Sequence, residues 1–350
     1  MMLENQEPLD IVLTEYLVDS LGIRNESYKE KKGVWWIQTP TGNRILKKMS
    51  HSESILKHML SAMRHLRGNG VNLPTVYLTK ENEEYVNING TCFILIEAID
   101  GKNPNYTIPQ ELAAVVKGLA NLHKASGGFS TDLDSKPAYC LGTWIKDYEE
   151  QLEDMNRFYQ EELAKSAPDD IGKVVLREFP HFFERGRKAV DGLKGPEYAE
   201  WVERVRHEGC LCHQDFAAGN LLLQPSGNLC VIDTDDLTVD IPSRDIRKLF
   251  NKIMKKKGYW DTALTKKIME LYQSENPLTA SQWTVVKLDL LFPHLFIGAM
   301  SKYYYKKDKD WGYDKYFRSI NEMSRFEKTY DTVFDQFDSM ISQCLNEGTD

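Results

Sequence analysis

The segment His213-Gln-Asp-Phe-Ala-Ala-Gly-Asn220, followed by the apolar run Leu229-Cys-Val-Ile that ends in Asp233, constrains this chain more than any other stretch. Its spacing is H-x-D-x-x-x-x-N, an arrangement in which the aspartate orients or deprotonates a hydroxyl and the asparagine holds a metal ion. Mg2+ takes near-octahedral oxygen ligands and bridges phosphates, so a second acid has to come from a neighbouring strand. Asp233 can supply it, because Pro225-Ser-Gly-Asn228 is turn chemistry between Leu221–Leu223 and Leu229–Asp233, and one hairpin brings its strand end back beside the loop. A lone HxD recurs by chance. The loop, the hairpin and the acid-ended strand make independent demands, and together they predict phosphoryl-transfer chemistry with Asp215 as the base and Asn220 and Asp233 as metal ligands. His213 reads as a residue packed under the loop, donating a ring N–H to a backbone carbonyl.

The rest of the chain is consistent with a large globular protein. Its 350 residues supply ample interior, and 41% apolar with 27% charged residues excludes collagen-like, low-complexity and wholly disordered classes. Lys+Arg 44 against Asp+Glu 52 gives a net charge of −8, which disfavours nucleic acid as a partner. The opening MMLENQEPLD lacks the layout of a secretory signal, and Leu288–Met300, the most apolar long window, is interrupted by Asp289, Pro293 and His294, so no membrane span is predicted. The six cysteines form no CxxC pair and read as reduced.

Strand signals concentrate in the first hundred residues. Val34–Gln38 and Asn43–Lys48 flank Thr39-Pro-Thr-Gly42, and Tyr85–Ile88 and Thr91–Ala98 flank Asn89-Gly90, which predicts two hairpins. Between them, Ile55, Leu56, Met59, Met63 and Leu66 recur at helical spacing over Ser52–Leu66. After Gly101 the pattern turns helical: Leu112–Leu122 with Gly127 as a cap, Trp144–Leu163, Lys173–Lys188, and most of Ile246–Met340. Trp260, Trp283, Trp311 and Tyr303–Tyr305 read as core and groove lining. The basic run of Lys252 with Lys255–Lys257 reads as a solvated helix end without a role.

HQDFAAGN followed by VIDTDD resembles the aminoglycoside phosphotransferase and choline kinase branch of the protein-kinase-like fold, whose usual pattern is HGDxxxxN followed by a hydrophobic strand and IDxxD. LKK after the second strand, GTCFILIEAIDG and GLANLHKAS extend the likeness to the CotS family of bacterial spore coat proteins. The resemblance implies an α+β, two-lobed fold: a β-rich lobe over residues 1–99, a helical lobe over 100–350 carrying the loop 213–220 and Asp233, and a nucleotide between them. It also implies ATP or another nucleoside triphosphate with Mg2+, and a small-molecule hydroxyl as acceptor. The alternative it leaves is a non-catalytic coat component. Other coat proteins are the implied partners, and the implied location is the mother-cell cytoplasm and then the spore coat.

Residue by residue, the resemblance places the phosphate-binding lysine at Lys47, although strand alternation with Leu46 pointing inward would favour Lys48. Its partner would be Glu53, the only acid of the following helix, which reads equally as a solvated first-turn glutamate. Glu97-Ala-Ile99 is the implied hinge, where backbone groups meet a purine. Asp245 is implied to brace the catalytic loop, and Asp235 and Asp236 read as metal-tuning acids or turn residues. Two features depart from the pattern. Gln214 replaces the usual glycine, and only Lys32-Gly33 is left to form a phosphate-covering turn.

Overall fold

Alternating apolar and polar residues in Val34–Thr39 and Gly42–Lys48 suit a pleated sheet with one face buried. The computed structural model describes residues 12–16, 29–31, 34–39, 41–130, 140–307 and 310–346. In it the two runs are strands β2 (Val34–Thr39) and β3 (Gly42–Lys48), paired antiparallel, with β1 (Lys29–Lys31) beside β2. Strand β6 (Thr91–Glu97) pairs with β3, with β4 (Val76–Tyr77) and with β5 (Val86–Ile88). The β5–β6 turn has Asn89 and Gly90 at φ 50° and 84°, the left-handed pair that a two-residue type I′ connection requires. Period-two alternation sends Ile37, Leu46, Phe93 and Leu95 to one face, where they pack with Val12, Leu13, Tyr16 and Val86. The other face of β3 carries Lys47. Helix α1 (Glu53–Gly68) follows, burying Leu56, Met59, Leu60, Met63 and Leu66.

The chain divides into two compact units, and the division does not follow a single cut after residue 99. The described residues of 1–115, 129–139 and 217–238 form one unit; those of 116–128, 140–216 and 239–350 form the other. Hydrogen bonding explains why the hairpin of β7 (Leu221–Leu223) and β8 (Leu229–Val231) belongs with the sheet. The Val231 amide donates to the Asn72 carbonyl at 2.9 Å, and Lys102 and Leu223 exchange backbone bonds of 3.0 and 2.8 Å. Gly101 permits that approach, since a Cβ there would lie 2.9 Å from the Leu223 carbonyl oxygen.

The second unit is helical. Helix α2 (Pro109–Ala125) leads into it and is followed by Gly128, rather than Gly127, in the left-handed region at φ 79°. Helices α3 (Trp144–Leu163) and α4 (Asp170–Leu193) pack on each other, the latter capped by Asp169, whose side chain accepts the Gly172 amide. Helix α5 (Pro196–Glu208) starts on a proline in its first turn. Six more complete the unit: α6 (Ser243–Lys257), α7 (Thr262–Gln273), α8 (Ala280–Leu291), α9 (His294–Tyr304), α10 (Tyr313–Lys328) and α11 (Tyr330–Asn346). Trp260 and Trp283 are core residues, whereas Tyr305 is 43% exposed.

By length and composition alone, Ala280–Tyr304 is apolar enough to cross a bilayer, which the interrupted window Leu288–Met300 did not predict. The stretch is two helices broken at Phe292-Pro293, with 61% of its apolar window buried inside the protein. Its buried Asp289 pairs with Arg247 and His294. That is the behaviour of a core element of the helical unit.

Candidate active site

In the strand-rich unit the site is built around Lys47. Leu46 points into the apolar core, so alternation turns Lys47 to the opposite face and leaves Lys48 exposed at the strand end. Lys47, and not Lys48, therefore lies on the face opposite Leu46. The Lys47 ammonium lies 2.8 Å from Asp233 Oδ1 and 2.7 Å from Asp235 Oδ1. Burial alone would pull its pKa down, but the attraction of Asp235 and then Asp233 outweighs this, and the ammonium is held above its ordinary value.

Asp233 follows β8 with φ at 59°, left-handed backbone that a non-glycine residue adopts at a cost of about 1 kcal/mol or more. Its side chain is half exposed. Register places Asn220 next to this strand end: Leu221 pairs with Val231, and the Ile232 amide donates to the Asn220 carbonyl at 2.9 Å. An aspartate carboxylate and an asparagine amide oxygen are hard oxygen donors, a set that fits Mg2+ better than a softer metal.

The helical unit holds Asp215 and Asp245. Asp245, in the first turn of α6, is fully buried and accepts the backbone amides of His213 and Gln214, the latter at 2.9 Å, while His123 Nε2 stands 3.4 Å away. Burial would raise its pKa, but the His123 imidazole and the His213 groups outweigh it, so the carboxyl stays below its usual range. The His213 ring is fully buried and edge-on to Phe216. Its Nδ1 accepts the Asp215 amide at 3.3 Å, because the loop turns that N–H back over the ring. His123, Cys212 and Asp245 converge within 4.8 Å, but Cys212 Sγ sits 3.3 Å from the Ile241 carbonyl and burial pushes its thiol up, so the group packs as a hydrogen-bonded cluster.

Two expectations about individual residues need correction. Glu53 is not on Lys47: its carboxylate accepts Tyr85 Oη and Asn87 Nδ2, both at 2.6 Å, and lies 3.2 Å from Lys57 Nζ. Those contacts hold its carboxyl below the usual range, and they exist because it occupies the first turn of α1, facing β5. Lys252 is not part of a purely solvated run: its ammonium pairs with Asp215, one turn beyond Lys248, which donates to both Gln214 oxygens at 2.7 Å. The i, i+4 spacing on α6 was the available signal, since it puts both lysines on one face.

At the end of β6, the Glu97 amide donates to the Thr75 carbonyl at 2.8 Å and the Ala98 amide to the Asn43 carbonyl at 3.3 Å. The Glu97 side chain accepts Thr75 Oγ1 at 2.8 Å. Ile99 is the one amide of this trio without a hydrogen bond among the described residues. Lys32 and Gly33 lie outside the described residues.

Gln214 has φ at 70°, which explains why a glycine suits this loop position. Its Nε2 is buried without a partner among the described residues. Gln214→Gly removes both penalties while the backbone oxygen still accepts Lys248, so the variant should be more stable by about 1 kcal/mol, measured by denaturant unfolding. Destabilisation would mean that the Gln214 side chain is needed to hold Lys248.

The chain is similar to solved kinases and to spore coat proteins. A solved aminoglycoside phosphotransferase from Alicyclobacillus acidocaldarius superposes with a TM-score of 0.82 at 15% identity, covering 95% of this chain and 96% of that one. A microcompartment-associated aminopropanol kinase superposes at 0.62 with 16% identity, covering 94% and 98%. The fold is therefore α+β and aminoglycoside phosphotransferase-like, with a small sheet and a mostly helical remainder. Spore coat protein S of Bacillus subtilis (strain 168) is 29% identical over 319 residues, 91% of this chain and 90% of that protein. Residues 15–345 match the family described as "Spore coat putative kinase YutH".

Proposed function

The chain belongs to the spore coat putative kinase YutH family, and on that premise we propose that it binds ATP with Mg2+ and transfers the γ-phosphate to a hydroxyl of a small molecule. The observation that carries this reading is the Lys47 ammonium held between Asp233 and Asp235 beside the Asn220 strand end. A part-buried lysine on that sheet face is placed to meet nucleotide phosphates, and the Ile99 amide supplies a donor for a purine edge. Asn220 and Asp233 would hold Mg2+, which when bound neutralises charge on the phosphates.

Asp215 takes the proton as the acceptor oxygen attacks the γ-phosphorus. A new O–P bond forms, the bond to the β,γ-bridging oxygen breaks, ADP departs, and Asp215 returns the proton to solvent. Lys252 orients the Asp215 carboxylate, while His213 and Asp245 hold the loop that carries it. Positioning and charge neutralisation supply most of the acceleration.

Its relation to spore coat protein S supports a place in the spore coat, and the proposal has the protein made in the mother-cell cytoplasm and assembled with other coat proteins. A second reading, a coat component that keeps the fold without catalysis, is favoured by one observation: Glu53 is committed to Tyr85, Asn87 and Lys57.

Thermal unfolding separates the two. A ligand at 100 times its Kd stabilises the native state by about 2.7 kcal/mol, so millimolar ATP with Mg2+ should raise the melting temperature, and Asp233→Asn should abolish the rise. An unchanged wild-type melting curve would leave the structural reading.

A further inference from the structure

We infer that Asp235, rather than Glu53, is the carboxylate that positions Lys47 for nucleotide phosphates, taking the place that the helix glutamate has in the resemblance. The inference deepens the Mg-ATP reading and rests on it. Lys47 touches two carboxylates, and they differ in burial: the Asp235 side chain is 19% exposed, like that of Lys47, whereas Asp233 is 50% exposed. Asp233 is the acid assigned to the metal. A divalent cation on Asp233 repels the Lys47 ammonium, and an ammonium that kept only that partner would be driven off or would compete with the metal. Asp235, 2.7 Å away, keeps Lys47 anchored when Asp233 is given to Mg2+.

The chain supports this division of labour. Thr234 is buried between the two aspartates, its carbonyl accepts the Leu237 amide at 3.2 Å, and both flanking carboxylates reach the same ammonium. Asp236 has its own neighbour, His51 Nε2 at 3.8 Å, and is 65% exposed. Helix α1 reads ESILKHMLSAMRHLRG, so no acid beyond Glu53 can come from it, and Glu53 is already held by a tyrosine, an asparagine and a lysine.

The competing role for Asp235 is a second metal ligand, and ATP binding with and without metal distinguishes the two. Affinities of the protein for ATP are measured by calorimetry in excess EDTA and in excess Mg2+, with adenosine as a probe that has no phosphates. Asp235→Asn should weaken ATP about tenfold in both conditions and leave adenosine unchanged, because Lys47 collapses onto Asp233 without metal and is left unanchored with it, and in either case is lost to the phosphates. Glu53→Gln should change none of the three affinities. In a Lys47→Met background, adding Asp235→Asn should have no further effect, and this charge-balanced double variant keeps the test open if Asp235→Asn alone does not fold.

Weakening confined to Mg2+ would make Asp235 a metal ligand and overturn the inference. ATP bound as tightly or more tightly by Asp235→Asn, or weakened by Glu53→Gln, would also overturn it. A wild-type protein that binds adenosine but not ATP, or neither, would remove the nucleotide reading itself and this assignment with it.

Discussion

Replacing Asp245 with alanine should cost about 3–5 kcal/mol of stability, enough to leave much of the protein unfolded at growth temperature. The carboxylate is buried and receives the amides of His213 and Gln214, with His123 beside it. Alanine strands all of these donors where water cannot replace the acceptor, and each stranded group costs about 1–3 kcal/mol. Asp245→Asn should be milder, since its Oδ1 can still accept one amide while its Nδ2 faces a donor. The pH dependence carries a sign. Because the folded carboxyl is held below its ordinary value, its contribution is fully present above the unfolded pKa near 3.8 and is lost as pH falls through the lower folded value. The Asn variant should therefore show a flatter acid limb in unfolding experiments than the wild type. An acid limb of equal steepness would mean that other carboxylates dominate acid unfolding.

Much of the site was legible because its chemistry is local in sequence. His213, Asp215 and Asn220 lie within one loop, and Asp233 follows after one hairpin, so spacing alone brings them to notice. Turn chemistry did the same for the strands: Asn89-Gly90 has the left-handed φ pair that the dipeptide predicts. Helix α5 was missed, although Gly195-Pro196 at its start and Gly209 after its end are ordinary boundary signals. The compact units differ from a single cut after residue 99 for a physical reason. Hairpin 217–238 is bound to Asn72 and Lys102 through backbone groups, which leave no side-chain pattern in a sequence.

The long-range partners were the least legible. Lys47 with Asp235, and Asp215 with Lys252, join residues far apart in the chain, and nothing in either residue's neighbourhood names the other. Glu53 was favoured for Lys47 because it is the only acid on α1, an argument by elimination that overlooks acids arriving from another strand. The basic residues of α6 resembled a solvated helix end because composition cannot distinguish Lys252, beside Asp215, from Lys255 and Lys256, which are exposed.

Asp215→Asn should lower phosphoryl transfer by about 10²–10⁴-fold while leaving the fold and nucleotide binding intact. Asparagine keeps the size and the backbone, so the bond from the residue 215 amide to His213 Nδ1 survives, and the loop still hangs on Asp245. What is lost is the only acceptor for the hydroxyl proton in the proposed reaction. ATP turnover, with or without an identified acceptor, and the melting shift on Mg-ATP are the paired readouts. Turnover should collapse while the shift persists, whereas Asp233→Asn should lose both. A variant whose turnover is unchanged would assign the base elsewhere, and one that unfolds would give Asp215 a bracing role. The same pair of substitutions divides catalysis from coat assembly, because a fold does not prove the activity it hosts. In a spore-forming host, a protein carrying Asp215→Asn and Asp233→Asn should still be deposited in the coat if recruitment uses its exterior, while any product of the reaction disappears. Failure of a folded double variant to reach the coat would mean that nucleotide occupancy itself controls assembly.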